Sequence, residues 1–159
     1  MSKKGDITTS NYIDFDKASA IGSRLIKGGK DKTFGLYIIV AINTGLRIGD
    51  ILNLSSKELF SGSNALSTFD LTDESIFKSQ KGTVFSRQQI NRKIKKHFKQ
   101  PADKNYSSHS LRKSFGRRVY ENNDQSEKAL MYLSELYNHS SLKITRGYLD
   151  ITQEELNDV

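Results

Sequence analysis

Phe34 to Asn43 constrains this chain more than any other segment. It reads Phe-Gly-Leu-Tyr-Ile-Ile-Val-Ala-Ile-Asn and is apolar on nearly every side. A helix that is apolar all round is stable only inside a folded body, because any turn left at the surface exposes hydrocarbon to water. Its unbroken apolar run, Leu36 to Ile42, is far shorter than the roughly 20 residues that span a bilayer. The segment therefore reads as a buried helix of a soluble domain, ended by Thr44-Gly45. The 159 residues suffice for one compact domain with a real core.

The rest of the chain supplies helices to cover it. Residues 1–13 are polar and read as a flexible tail, and residues 14–159 as a single domain. Asp14 or Asp16 caps a first helix carrying Ala18, Ile21, Leu25 and Ile26, ended by Gly28-Gly29. A helix begins near Leu46 and turns Ile48, Ile51, Leu52 and Leu54 inward. Residues 55–75 are rich in Ser, Gly, Asn and Asp, with strand-like pieces at Ala65 to Leu71 and Ile76 to Phe77. Ser86 caps a helix to Lys99 whose apolar stripe is Ile90, Ile94 and Phe98; Pro101 follows it. Helices over Ser107 to Asn122, from Ser126 through Leu136, and around Leu142 to Leu149 complete the pattern, with an acidic helical tail from Gln153. The expected fold is mainly α with a small antiparallel β-sheet.

Composition narrows the function. The net charge of +7 favours polyanion partners, since each neutralised phosphate releases condensed counterions. The absence of cysteine removes disulfides, thiolate metal sites and cysteine nucleophiles together. No signal peptide opens the chain, and a cytoplasmic location is expected.

Three motifs can carry chemistry. In His109-Ser110-Leu111-Arg112, positions three apart share a helix face, so His109 and Arg112 can meet one anion. Arginine grips phosphate with two prongs and histidine moves protons near neutrality. Gly116, one turn on, leaves room for a close backbone approach. In Thr44-Gly45-Leu46-Arg47-Ile48-Gly49-Asp50, a break followed by Arg47 at a helix start points a guanidinium and free N–H groups to one place, with Asp50 spaced to orient Arg47. In the stretch from Asn138 to Tyr148, His139 precedes Tyr148 by nine residues on a short basic helix. A phenol can attack phosphorus if arginines neutralise the phosphate and a base accepts its proton. Each motif alone is also what an ordinary solvated helix carries.

Together and in this order they resemble the tyrosine recombinase, or phage integrase, family. Thr-Gly-Leu-Arg-Ile-Gly-Asp-Ile-Leu-Asn-Leu resembles its first arginine box, His-Ser-Leu-Arg-Lys-Ser-Phe its second, and Tyr-Asn-His-Ser-Ser-Leu-Lys-Ile-Thr-Arg-Gly-Tyr-Leu its nucleophile box. The resemblance covers residues 14 to 155. It implies that Arg47 and Arg112 clamp a scissile phosphate, that His109 acts as acid–base and that His139 hydrogen-bonds a non-bridging oxygen. Tyr148 attacks, leaving a 3′-phosphotyrosyl link. It implies no cofactor: neither ATP nor metal is needed, because one phosphodiester is traded for a near-equal one. The implied partner is double-stranded DNA in a bacterial or phage-type host, with self-association into a tetrameric synapse and no membrane.

The family also places a lysine on a β-hairpin between the first arginine and the His-x-x-Arg box. Here that interval is tens of residues shorter, with residues 61–68 standing where the hairpin belongs. Lys57, Lys78 and Lys81 are candidates by location only. Basic residues that alternate with apolar stripes are the expected DNA-backbone contacts: Arg87, Arg92, Lys93, Lys95 and Lys96, then Lys113 and Arg117, then Lys143 and Arg146. The shortened interval keeps open an alternative, a recombinase-derived DNA-binding protein with weak or no catalysis.

Overall fold

The computed structural model describes residues 10–60 and 72–157. Nine helices are found among them: α1 (Phe15–Gly28), α2 (Lys32–Thr44), α3 (Ile48–Asn53), α4 (Ser56–Phe60), α5 (Arg87–His97), α6 (Ser108–Asn122), α7 (Glu127–Tyr137), α8 (Leu142–Tyr148) and α9 (Gln153–Asn157).

The helix starts follow side-chain caps. Asp14 accepts the Lys17 N–H at 2.9 Å, and Ser86, Ser107, Ser126 and Ser141 each accept an N–H of the turn they begin. Such caps satisfy donors that have no intrahelical partner, each contributing about 1 kcal/mol. The apolar segment forms α2, with Phe34, Tyr37, Ile38, Ala41 and Ile42 at 2% exposure or less. It packs on α1 and on α6. Gly22 and Gly35 let α1 and α2 approach closely: a Cβ at Gly35 would lie 2.8 Å from the Gly22 carbonyl oxygen.

Two apolar clusters flank α6. The larger joins α1–α3 and α5 with Phe77, Phe85, Tyr106 and Leu111. The smaller joins Tyr120 of α6 to Ala129, Leu130, Leu133 and Tyr137 of α7, and to Tyr148 and Leu149. Helix α6 is therefore buried well beyond one stripe: Ser108, Ser110, Arg112, Lys113, Ser114 and Arg117 are all buried.

Two expectations change. No strand is present among the described residues, so the expected small antiparallel sheet is not found there. Ser55 with Ser75, and Lys78 with Val84, form isolated antiparallel bridges instead. Beside the Ser55–Ser75 bridge, side chains take the neighbouring backbone groups: Ser56 Oγ is bonded to Thr72 N and O, and Ser75 Oγ donates to Leu52 O at 2.7 Å. The strand-like piece at 65–71 lies outside the described residues. Of the expected tail, residues 10–13 are packed. Ile13 is 1% exposed, its carbonyl accepts from Ser114 Oγ, and the Asn11 N–H bonds Asn105 O at 2.9 Å.

Candidate active site

The α2–α3 corner sets the first arginine. Gly45 ends α2 at φ +64°, and its N–H bonds Ala41 O. A side chain there would strike Phe115, whose Cδ1 lies 2.4 Å from a built Cβ. Arg47 then takes an extended conformation as the N-cap of α3 and is exposed. The Gly45 carbonyl accepts from Arg112 Nε at 2.8 Å, so the corner that presents Arg47 also fixes Arg112 of α6.

Tyr137 fixes Arg112 from the other side. The guanidinium lies 4.3 Å over the Tyr137 ring, and the Tyr137 hydroxyl donates to Arg112 O at 2.8 Å. Gly116 provides the space for this, since a built Cβ there would lie 2.7 Å from the Tyr137 hydroxyl. What approaches Gly116 is thus the Tyr137 hydroxyl and the Leu149 side chain, not a backbone.

The α7–α8 turn sets the histidine. Asn138 adopts φ +56°, and the His139 N–H bonds Ser134 O at 2.9 Å, folding His139 back toward the C-terminal end of α8. His139 Nδ1 lies 3.0 Å from Thr145 Oγ1. The Tyr148 ring meets the His139 and Tyr137 rings edge-on, each with centroids 5.2 Å away. The Tyr148 hydroxyl is buried and has no hydrogen-bond partner.

The electrostatics follow from this packing. Burial pushes the Tyr148 phenol up to about 12, opposed by the nearby Arg112 and Arg47 charges. His109 is lowered by burial first, then by Arg112, Lys113, Arg87 and Arg47. His139 is lowered by burial, then by Arg112 and Arg47. These shared perturbers place Arg47, His109, Arg112, His139 and Tyr148 around one locus. No carboxylate forms an ion pair with Arg47, Arg112, His109 or His139 among the described residues. Asp50 does not orient Arg47 through an ion pair; it is exposed, and its charge is felt at Arg112. A buried Arg112 and an exposed Arg47, neither ion-paired among the described residues and both close to a phenol, suit an anion.

Comparison with known proteins places this geometry. The family model described as phage integrase family matches residues 58–155, more than half of the chain. The chain belongs to the phage integrase family. The match begins beyond Arg47, whose charge is nevertheless felt at Arg112, His139 and Tyr148. The crystal structure of XerA recombinase aligns with a TM-score of 0.64 at 19% identity, covering 99% of this chain and 65% of that one. At that identity the likeness shows the recombinase fold, and the chain spans about two-thirds of the matched structure's length. No curated protein matches the chain.

For an integrase-family domain the remaining cations divide sharply. Arg87, Arg92, Lys95 and Lys96 on α5 are exposed, as is Lys143 on α8. Arg146 is half-buried, with its Nε unbonded. Three expected DNA contacts serve the fold instead. Lys93 pairs with Asp31, which His97 Nε2 also meets at 3.1 Å. Arg117 makes a two-pronged bond to Glu155 at 3.0 and 3.1 Å and covers the Tyr12 ring. Lys113 is fully buried.

The lysines between the arginine boxes divide as well. Lys57 pairs with Asp73 at 2.9 Å and Lys78 with Glu74, while Lys81 is exposed. Residues 61–68 lie outside the described residues. Sequence reasoning missed Tyr137, Thr145 and the Gly45 carbonyl as site components. Tyr137 stood in view inside the nucleophile box, but only the fold shows that its ring carries Arg112. No helix among the described residues is long and apolar enough to cross a membrane.

Proposed function

We propose that this chain is a site-specific DNA recombinase that cleaves and rejoins strands through a 3′-phosphotyrosyl intermediate on Tyr148. The observation that carries the reading is the buried, unbonded Tyr148 hydroxyl near Arg112 and Arg47, neither of which is ion-paired among the described residues. Arg47 and Arg112 hold the scissile phosphate and stabilise the charge that grows on its equatorial oxygens. Tyr148 is protonated at neutral pH, so its proton must leave as the O–P bond forms. His109, held below the ordinary histidine range, is neutral at pH 7 and accepts it. In the tautomer in which Nδ1 accepts from the Thr145 hydroxyl, the His139 Nε2–H donates to a non-bridging oxygen. The P–O5′ bond breaks and the leaving 5′-oxygen takes a proton from water. Attack by a 5′-hydroxyl of a second strand reverses the step, so bond energy is conserved and neither ATP nor metal is consumed. Double-stranded DNA lies along the exposed cations of α5, and self-association on paired sites completes strand exchange.

The test uses duplexes selected from a random pool for binding, nicked so that cleavage traps the adduct. A covalent protein–DNA species that disappears in Tyr148→Phe supports the proposal. One that persists in that variant excludes Tyr148. The pH dependence adds a sign. Neutral His109 is required, and its pKa is lowered, so cleavage is expected to hold steady from pH 8 down through about 6.5, the ordinary histidine value, and to fall only below it. A midpoint above that value would exclude a depressed histidine as the base.

One observation favours the second reading, a DNA-binding protein with weak or no catalysis: Lys57 and Lys78 are occupied by acids of their own segment. Salt-sensitive binding with no adduct on any selected site would establish it.

A further inference from the structure

Lys113 stands out because it is buried next to the pocket yet has no part in the chemistry above. Its side chain is fully enclosed on α6, one residue after Arg112. Its Nζ donates to the Ser10 carbonyl, lies 3.4 Å from Asp150 Oδ1, and sits 5.1 Å from the Tyr148 ring centroid. Asp150 is the residue at φ +55° that ends the Tyr148 helix, where the Asp150 N–H bonds Gly147 O and the Ile151 N–H bonds Arg146 O. The ammonium thus touches three things at once: the face of the tyrosine, the residue that terminates its helix, and the packed N-terminal segment.

The geometry points to Lys113 as a positioning residue for Tyr148, one that ties the placement of the phenol to docking of residues 10–13 against α6. This rests on the proposed role of Tyr148. An enclosed ammonium held by a backbone carbonyl has no path to a leaving 5′-oxygen, so its effect reaches the reaction only through where the tyrosine sits. The Ser10 carbonyl is one of several ties of that segment. Ser10 Oγ also bonds Ser107 Oγ at 2.6 Å, at the cap of the helix that carries His109 and Arg112. The segment therefore braces both the α6 cap and, through Lys113, the nucleophile.

The experiment compares Lys113→Met with Asp150→Asn on the selected nicked duplex. Methionine keeps the bulk and removes the charge; the Asp150 carboxylate it leaves behind reaches solvent, which limits the cost of parting a buried pair. DNA affinity is expected to stay within about twofold, while single-turnover cleavage falls at least about tenfold, the scale on which small misplacements act. Asp150→Asn keeps an acceptor and should lose less. Cleavage by Lys113→Met at the wild-type rate would overturn the proposal. So would full rescue of that variant by a substrate with a bridging 5′-sulfur, a leaving group that needs no proton, because Lys113 would then be the acid. A second readout is independent of turnover: nitration of Tyr148 by tetranitromethane, followed by peptide mass spectrometry. Lys113→Met should raise Tyr148 nitration severalfold, and unchanged nitration would overturn the proposal even if no adduct forms. A wild-type chain that forms no adduct sinks the proposed function instead, and leaves this second readout to decide the positioning role.

Discussion

The pocket formed by α6, α8 and the α2–α3 corner and the segment between α3 and α5 hold cations under opposite conditions. In the pocket, Arg112 is buried, clamped between the Gly45 carbonyl and the Tyr137 ring, and no carboxylate meets it. In the connecting segment, Lys57 and Lys78 are partly exposed and joined to Asp73 and Glu74, acids supplied by the same stretch. Exposed pairs of this kind contribute at most about 1 kcal/mol and are screened by salt. A buried arginine with its charge unspent is costly to hold and acts strongly on any anion that enters. On the proposed reading, the Arg112 side of the site is preorganised for a phosphate, whereas Lys57 and Lys78 are engaged by acids of their own segment.

The largest effect is expected at Arg112. Arg112→Ala should lower cleavage by roughly 10²–10³-fold or more, as loss of a preorganised charge-stabilising donor does elsewhere. Single-turnover adduct formation measures it, and a change below tenfold would erase the distinction between the two regions. Tyr137 comes next. Tyr137→Leu removes the ring under Arg112, an interaction of about 0.5–2 kcal/mol, and should reduce cleavage around tenfold. Tyr137→Phe keeps the ring, loses only the bond to Arg112 O, and should cost less. The reverse order would assign the hydroxyl the main role.

The same contrast holds for DNA binding. Lys95→Gln with Lys96→Gln should weaken binding and flatten its salt dependence, by about 0.9 in log–log slope for each phosphate left without its cation. Arg117→Gln, whose parent arginine is spent on Glu155, should leave that slope unchanged and act on stability instead. The smallest effects are expected at Lys57→Met, Lys78→Met and Lys81→Met, each within about twofold in cleavage, the scale of exposed pairs. A hundredfold loss at any of the three would identify the missing acid.

These divisions show why part of the molecule was legible from sequence. Helix starts were, because Ser86, Ser107 and Ser126 act through bonds within one turn. The helices that carry His109, Arg112 and Tyr148 were, because apolar spacing fixes a helix face. The difference between Arg92 and Arg117 was not. Both follow an apolar stripe in sequence, but α5 buries one face while α6 lies between two apolar clusters and must satisfy its cations internally. The isolated Ser55–Ser75 bridge, where a sheet was expected, has a similar cause. Ser56 and Ser75 side chains take backbone groups that a ladder would use, and no local pattern signals that. Tyr137 and Lys113 act only through partners distant in sequence, Arg112 and Ser10 among them.

The most direct measurement is to map the covalent bond itself. Adduct formed on a nicked duplex is digested with trypsin and nuclease, and the peptide bearing residual nucleotide is sequenced by mass spectrometry. The nucleotide is expected on Tyr148, in the peptide that begins at Gly147. Attachment at Tyr132, Tyr137 or any other residue would contradict the assignment of Tyr148 as the nucleophile beside the arginine pocket.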